Sequence, residues 1–369
     1  MKIINKKFSE VDLISYGLYF CLFCSVCIIY YLTFVNGYGF VYEPISGWIN
    51  PVNIHDHYIY LDYIEKIDNL EDLFGLNNNL GISIIYYLLH QFIYLLGFDI
   101  KYEVLALVIN LAVLLAVLSS YINIVKLFGL PGYYGLTFFF MTSLVYFSQL
   151  INKDSFTILI VLKAIELAKN KHWRNYILLI GLSVFIRFQL PALLLLYAFI
   201  VYRQEKQLFR IAGTYILLSL INGFLAKYQT EFFNESTLSD GLSYYVYQLN
   251  LKYYIGSIIF NPLRVMQYFY DVLLSFKFID SDYKIDVSRL KNIPQLFTMI
   301  LLLPFAVLSV INFRSSLKGD ERYFLNMLFC FFIIWLFNPT INQRYFICFL
   351  PILQLLSLTR YYNFRRKFQ

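Results

Sequence analysis

Apolar runs of about 17–25 residues recur along the whole chain, and the charged residues lie mainly between them. A helix needs about 20 consecutive apolar residues to cross the hydrocarbon core of a bilayer, which is about 30 Å thick. Because lipid offers the backbone no hydrogen-bond partners, a spanning segment must be a helix or part of a closed barrel. The runs do not alternate with a period of two, so they predict helices and exclude a barrel.

Composition points to the same class of protein. The chain of 369 residues is 59% hydrophobic and only 14% charged, whereas about a quarter of the residues of a soluble domain are charged. The net charge of +7 comes from Lys and Arg residues near the ends of apolar runs, where they indicate membrane orientation and not nucleic-acid binding. We therefore predict an all-α, polytopic integral membrane protein.

The charges next to the first run set the predicted topology. Lys2, Lys6 and Lys7 make the start of the chain basic and therefore cytoplasmic. The first run, about Leu13 to Val35, would leave the cytoplasm as a retained anchor, because it lacks a small-residue cleavage site. The net acidic stretch from about 36 to 81 would then form a long external loop.

The next apolar run, from Ile82 to Phe98, is short and can be interpreted in two ways. If it crosses the membrane, the cluster from Lys169 to Arg174 falls outside. If it lies along the interface, every later basic cluster falls inside, as the positive-inside rule requires. We adopt the interfacial interpretation. The clusters are Lys169/Lys171/Arg174, Arg203/Lys206/Arg210, Arg314/Lys318/Arg322 and Arg360/Arg365/Arg366/Lys367.

This topology has about ten crossings and places both ends of the chain in the cytoplasm. Residues 1–369 form a single transmembrane domain with two external segments, 36–102 with its interfacial helix and 228–292. The run from Ile255 to Phe276 in the second segment is also predicted to be interfacial. The predicted spans are about Leu13–Val35, Val104–Phe128, Tyr133–Ile151, Ser155–Ala168, Tyr176–Phe188, Pro191–Tyr202, Phe209–Lys227, Pro294–Phe313, Tyr323–Phe337 and Tyr345–Leu358.

With this topology, four groups of polar residues lie on the external face of the membrane. Ionisable residues near the membrane are costly to place there and by default suggest function. The groups are Asp56 with His57 and Tyr60, the Asn152-Lys153-Asp154 turn, Arg187, and Asn342-Gln343-Arg344.

These residue types fit an anionic, lipid-anchored substrate. Arg187 and Arg344 offer planar, bidentate donors to the oxygens of a pyrophosphate. Asp56 could act as a general base on a sugar hydroxyl, or could instead hold a divalent metal together with Asp154. We predict no cofactor and assign no metal-binding residue, and the divalent metal stays an unsupported alternative. The His55-x-His57 pair is a weak metal signal, because it has no third ligand nearby.

Structural roles are the alternatives for each group. Arg187 and Arg344 could be anchors whose head groups reach water at helix ends. Asp154 could cap the helix that begins at Ser155, because a carboxylate favours a helix N-terminus. These alternatives stay open at the level of sequence.

Four short motifs resemble those of the C-type membrane glycosyltransferase superfamily, in particular bacterial repeat-unit polymerases of the O-antigen and capsule type. Asp56-His57-Tyr58-Ile59-Tyr60 is similar to the family's Asp-x-x-x-Tyr, although His57 stands where relatives often have Glu. Ile151-Asn152-Lys153-Asp154-Ser155 is similar to its Lys-Asp turn. Ile186 to Pro191 is similar to its Arg-Pro element, with the proline displaced, and Gln343-Arg344-Tyr345 through Pro351 to its late Arg-Tyr span.

The resemblance implies a bacterial inner-membrane enzyme that polymerises surface-polysaccharide repeat units from polyprenyl-pyrophosphate donors. It implies that Asp56 is the catalytic base and that Arg187 and Arg344 bind the pyrophosphate. Its partners would be the lipid-linked oligosaccharide, membrane lipid and a chain-length regulator, with no nucleic acid. The alternatives are a single-sugar transferase that uses a polyprenyl-phosphate donor and, in another class, a lipid-linked oligosaccharide flippase or transporter. The other residues predicted to contact substrate are Lys153, Asp154, Asn342, Gln343, His57 and Tyr60.

Overall fold

The computed structural model describes residues 9–31, 54–67, 80–141, 150–202, 206–229, 242–279, 289, 293–335 and 347–366. Most of these residues are helical and none of them forms a β-strand, so the predicted all-α class is confirmed for this part of the chain. The α-helices are α1 (Glu10–Tyr30), α2 (Ile54–Glu65), α3 (Leu80–Leu95), α4 (Tyr102–Leu127), α5 (Asp154–Lys169), α6 (Trp173–Ser183), α7 (Gln189–Tyr202), α8 (Gln207–Gln229), α9 (Leu242–Tyr253), α10 (Gly256–Leu273), α11 (Ile293–Ile311), α12 (Phe313–Ser316), α13 (Glu321–Trp335) and α14 (Leu350–Arg366). Gly132–Phe140 and Leu274–Phe276 are 3-10 helices.

Four of the described helices are long and apolar enough to cross a membrane, namely α1, α4, α8 and α11. The chain therefore has the character of a helical membrane protein. Two shorter apolar helices are Gly81–Leu95, within α3, and Gln189–Tyr202.

Helix lengths do not establish the predicted ten crossings. The predicted spans Ser155–Ala168 and Tyr176–Phe188 correspond to α5 and α6, which have 16 and 11 residues and are shorter than the roughly 20 residues of a straight span. In the predicted span Tyr133–Ile151, the structure has the 3-10 helix Gly132–Phe140, and residues 142–149 lie outside the described part.

Large apolar side chains are exposed on several helices, both long and short. In water such surfaces would be unfavourable, and contiguous apolar surface marks contact with a membrane or a partner. This exposure fits helices whose outer faces lie in lipid. Examples from α1, α6, α8 and α11 are Phe20, Leu178, Phe209, Leu301 and Ile311, which are between 65% and 77% exposed.

The chain divides into two compact units. The first comprises Met1–Glu166, Phe185–Arg187 and Phe276–Leu301, and the second comprises Leu167–Val184, Phe188–Ser275 and Leu302–Gln369.

In the first unit, α1 packs antiparallel to α4. Near the start of α1, the Asp12 carboxylate accepts a hydrogen bond of 2.7 Å from Nζ of Lys126, close to the end of α4. Two turns further along α1, the Tyr19 hydroxyl donates to the Leu111 carbonyl. Val26, near the end of α1, packs on Leu111 in a small apolar cluster. The start of α1 therefore lies beside the end of α4.

Both of these helices have well-defined ends. Ser9 caps α1 through a capping box, in which its hydroxyl accepts from the Asp12 N–H and the Asp12 carboxylate accepts from the Ser9 N–H. Beyond α4, Gly129 has a φ of +65°, which an L side chain rarely adopts. Its N–H donates to the Lys126 carbonyl, and the Leu130 N–H donates to the Val125 carbonyl, so this glycine ends α4 in a Schellman motif.

In the second unit, basic and acidic side chains pair at the start of α13. Lys169, at the end of α5, pairs with Asp320. Glu321 is buried and accepts from the Ser309 hydroxyl at 2.9 Å. Arg360 of α14 lies 3.4 Å from the same carboxylate. These contacts bring the ends of α5, α11 and α14 to the start of α13.

The rest of α13 is mostly buried. The Tyr197 hydroxyl of α7 donates to the Tyr323 carbonyl at 3.2 Å, which joins these two helices near the start of α13. One turn later lies Asn326, which is fully buried. Neither amide atom of Asn326 has a hydrogen-bond partner in the part of the chain that the structure describes.

Candidate functional site

The polar cluster of the first unit is centred on the turn at residues 150–155, which leads into α5. The Asn152 side-chain oxygen accepts from the backbone N–H groups of Asp154 and Ser155, at 3.1 and 3.4 Å. Its Nδ2 donates to the Leu150 carbonyl at 3.0 Å. Asn152 therefore caps α5, and the alternative in which the Asp154 carboxylate supplies the cap is not what the structure shows.

The Asp154 carboxylate instead pairs with Arg187. Nη2 of Arg187 donates to Oδ1 of Asp154, and the two side chains are only 3% and 1% exposed. A snorkelling arginine would extend its head group into water, so the structure places Arg187 differently from that alternative. Breaking such a buried pair by removing one partner is strongly destabilising, at about 3–5 kcal/mol.

His57 of α2 contacts the same turn from another direction. Its Nδ1 accepts a hydrogen bond of 3.3 Å from the Ile151 N–H. Its Nε2 lies 3.6 Å from Oε1 of Glu103, at the start of α4. This distance is slightly longer than a hydrogen bond but short enough for a favourable electrostatic contact. The Glu103 side chain is 29% exposed, whereas that of His57 is 3% exposed.

A chain of neutral side chains ties α3 and α4 to the turn. The Tyr86 hydroxyl donates to Oδ1 of Asn110 at 3.4 Å, and Nδ2 of Asn110 donates to the Leu150 carbonyl at 2.7 Å. Burial raises the pKa of the Tyr86 hydroxyl above its ordinary value, so this group keeps its proton and acts as a donor. Asn110 thus satisfies a backbone carbonyl of the turn from within a largely apolar helix.

Lys153 and Tyr60 complete the cluster. The Lys153 ammonium lies 5.9 Å from the centre of the Tyr60 ring, which is within the range of a cation–π contact. Both side chains are buried. The Ser83 hydroxyl of α3 donates to the Tyr60 carbonyl at 3.2 Å and so joins α3 to α2. The cluster therefore draws on α2, α3, α4, the 150–155 turn and the Phe185–Arg187 segment.

The cluster concentrates charge in a desolvated place. Lys153 and Arg187 supply two cations, and Asp154 and Glu103 supply two carboxylates. Fixed charges act over longer distances in a low-dielectric site than in water, and their orientation costs nothing at the moment of reaction. Glu103 is the most exposed of these four side chains. The two cations and the two carboxylates of the cluster therefore balance in formal charge, and Arg187 is already paired with Asp154.

The structure brings together five of the predicted site residues: His57, Tyr60, Lys153, Asp154 and Arg187. Asp56 lies in α2, one residue before His57, and its side chain is not among those described. Asn342, Gln343 and Arg344 lie outside the described residues. Among the described side chains, no group of three His, Cys, Asp or Glu residues could hold a metal ion.

Sequence reasoning missed Glu103, Asn110 and Tyr86 as members of the cluster. Glu103 stands in the first turn of a long apolar helix, where a carboxylate is favourable to the helix dipole and needs no further explanation. Asn110 carried a stronger signal, because an amide inside a predicted span must find a hydrogen-bond partner. Tyr86 was one aromatic residue among many, and nothing in the sequence distinguished it.

No family model, no curated protein and no solved structure matches this chain.

Proposed function

We propose that this protein is a membrane glycosyltransferase that uses polyprenyl-pyrophosphate-linked sugars and polymerises surface-polysaccharide repeat units of the O-antigen type. The observation that carries the proposal is the buried cluster in which His57, Tyr60, Lys153, Asp154 and Arg187 meet. These residues come from three of the four motifs that resemble the family, and they are far apart in the sequence.

The packing of α1 supports an external location for the cluster. If α1 leaves the cytoplasm after the basic start of the chain, then α4, which is antiparallel to α1, begins outside. Glu103 and the rest of the cluster lie at that end of α4. The same argument means that α2 and α3 make no net crossing between them, which supports an interfacial α3.

In the proposed reaction, a sugar hydroxyl of the incoming unit attacks the anomeric carbon of the donor. The hydroxyl proton passes to Asp56, the new glycosidic C–O bond forms, and the bond to the polyprenyl pyrophosphate breaks. Arg187 and Arg344 stabilise the charge of the leaving pyrophosphate. The pair with Asp154 holds the Arg187 guanidinium in a fixed orientation, as a preorganised site requires.

The other predicted residues shape this site. Lys153 and Asp154 form its floor, and Tyr60 offers an aromatic ring beside Lys153. Asn342, Gln343 and His57 are the remaining predicted substrate contacts. We place the enzyme in the bacterial inner membrane with both ends of the chain in the cytoplasm, and we expect a chain-length regulator to act beside it.

The test introduces Asp56→Asn and Arg344→Ala, each separately, into the native strain and follows the surface-polysaccharide ladder on a gel. Asp62→Asn is the matched control, because Asp62 lies in the same helix α2, is exposed and pairs with Lys66. The amount of each variant in the membrane is measured by immunoblot.

Loss of long chains, with a single repeat unit retained, supports the polymerase. Loss of the single unit as well would indicate a transferase that builds the unit or a flippase that moves it. An unchanged ladder in both variants would contradict the proposed site.

A further inference from the structure

Each imidazole nitrogen of His57 faces a different part of the polar cluster. Nδ1 accepts from the Ile151 N–H at 3.3 Å, and Nε2 lies 3.6 Å from Oε1 of Glu103. His57 and Ile151 are both almost fully buried. The ring therefore connects α2 to the 150–155 turn on one side and to α4 on the other.

This geometry determines the tautomer of His57. A nitrogen that accepts a hydrogen bond carries no proton, so in the neutral ring the proton lies on Nε2. Nε2–H then faces the Glu103 carboxylate, which favours this tautomer over the other. Metal-bound and catalytic histidines are commonly oriented by a carboxylate in the same way. Lys101, just before α4, is another charged group that acts on the Glu103 carboxylate.

The Ile151 N–H immediately precedes the residues that matter for the proposed reaction. Asn152 caps α5, Lys153 lies against Tyr60, and Asp154 pairs with Arg187. A buried N–H that loses its acceptor is costly, so the turn would rearrange to find another partner. Such a rearrangement would move Lys153 and Asp154 relative to α2, which carries Asp56.

We propose that His57 is a positioning residue for this site: Nδ1 holds the 150–155 turn in register with α2, and Glu103 selects the tautomer that can do so. The expected effect of His57 on polysaccharide synthesis rests on the proposed function. Its expected effect on the conformation of the 150–155 turn rests on the geometry alone. In this proposal, Glu103 orients the His57 ring. His57 supports the turn that carries Lys153 and Asp154, and it does not contact substrate as the sequence had predicted.

Two substitutions separate the functions of the two nitrogens. In His57→Asn, the amide oxygen occupies nearly the position of Nδ1 and can still accept from Ile151, whereas nothing reaches Glu103. In His57→Gln, the longer amide can reach toward Glu103 but presents no acceptor at the Nδ1 position. A structural role that depends only on ring volume would be disturbed similarly by both variants.

The first readout is amide hydrogen exchange of the peptide containing residues 150–155, in purified protein in lipid nanodiscs. We expect exchange in His57→Asn to match the wild type and exchange in His57→Gln to be about 2–10 times faster, as the loss of one hydrogen bond implies. Equal exchange in all three proteins would overturn the proposal, whatever the protein does in the cell.

The second readout is the tautomer itself, observed by ¹⁵N NMR of protein labelled at its four histidines. The signals absent from His57→Asn identify His57. We expect a protonated Nε2 and an unprotonated Nδ1 in the wild type, and a mixture of tautomers in Glu103→Leu. A protonated Nδ1 in the wild type would refute the assignment.

The polysaccharide ladder is then compared between His57→Asn and His57→Gln. We expect His57→Gln to lose more of the long chains than His57→Asn does. If exchange and tautomer behave as expected but Asp56→Asn and Arg344→Ala both leave the ladder unchanged, the proposed function fails while the positioning role stands. Loss of long chains in both variants, with slow exchange in His57→Asn, would contradict the positioning role and favour direct substrate contact by His57.

Discussion

Gly81, the second residue of α3, can be used to test how closely the Phe185–Arg187 segment must approach the cluster. A Cβ atom at Gly81 would lie 2.1 Å from the Phe185 carbonyl oxygen, 2.7 Å from its carbon and 2.9 Å from Cα. Ordinary van der Waals contact begins at 3.4 Å, so Gly81→Ala must move these groups apart by about 1.3 Å. The obstacle is backbone, so no change of rotamer can relieve the clash.

The expected cost combines two opposing contributions. Overpacking of this kind destabilises by about 1–3 kcal/mol, whereas replacing a helical glycine by alanine gains up to about 1 kcal/mol. The displaced segment carries Arg187 two residues later, so its pair with Asp154 is strained as well. Misplacement of a reacting group by about 1 Å can cost about 100-fold in rate, so we expect activity to fall further than stability.

The assay compares thermal unfolding of Gly81→Ala and Gly17→Ala in nanodiscs, together with the polysaccharide ladder in cells. Gly17 is the matched control because it also lies in a helix, and a Cβ there would meet nothing within 4 Å. We expect a lower unfolding midpoint and shorter chains for Gly81→Ala, and a midpoint at or above that of the wild type for Gly17→Ala. Equal midpoints for the two variants would refute the close approach.

Two further substitutions test buried polar groups in the two units. Asn326→Leu should raise the unfolding midpoint, because it removes two amide atoms that have no hydrogen-bond partner among the described residues. Each such buried atom costs about 1–3 kcal/mol. An unfolding midpoint of Asn326→Leu below that of the wild type would mean that the Asn326 amide has hydrogen-bond partners. Lys126→Met should destabilise the first unit by about 1–3 kcal/mol, because it removes a charged partner of the buried Asp12 carboxylate. Adding Asp12→Asn to Lys126→Met should cost less than the sum of the single variants, and strict additivity in this double-mutant cycle would show that the pair does not interact.

Much of the architecture follows from the apolar runs alone. The helices α4, α7, α8 and α11 begin and end within a few residues of the predicted spans, because long apolar periodic segments have only one low-energy backbone conformation in lipid. The stretch after Pro131 is different. Two glycines, five aromatic residues and Thr137 there weaken the α-helix, and the structure has a 3-10 helix at Gly132–Phe140.

The candidate site was less predictable, because its contacts depend on side chains that meet only after the helices pack. The motif residues Lys153, Asp154 and Arg187 were recognisable as expensive charges near a membrane. Which charge pairs with which could not be deduced, since Asn152 and Asp154 are equally good helix caps. The Asn152 cap leaves Asp154 for Arg187, a choice that only the three-dimensional arrangement reveals.

The antiparallel pairing of α1 with α4 also bears on how the chain is made. Asp12 and Lys126 are 114 residues apart in the sequence, and synthesis proceeds at about 5–20 residues per second. Lys126 is therefore synthesised roughly 6–23 seconds after Asp12, and the Asp12 carboxylate has no Lys126 to pair with until then. During that time α1 must tolerate the charge near its N-terminal end, where the carboxylate can stay hydrated in the headgroup region. We expect α1 to settle to its final depth in the bilayer only when α4 arrives, so that these two helices enter their native arrangement as a pair.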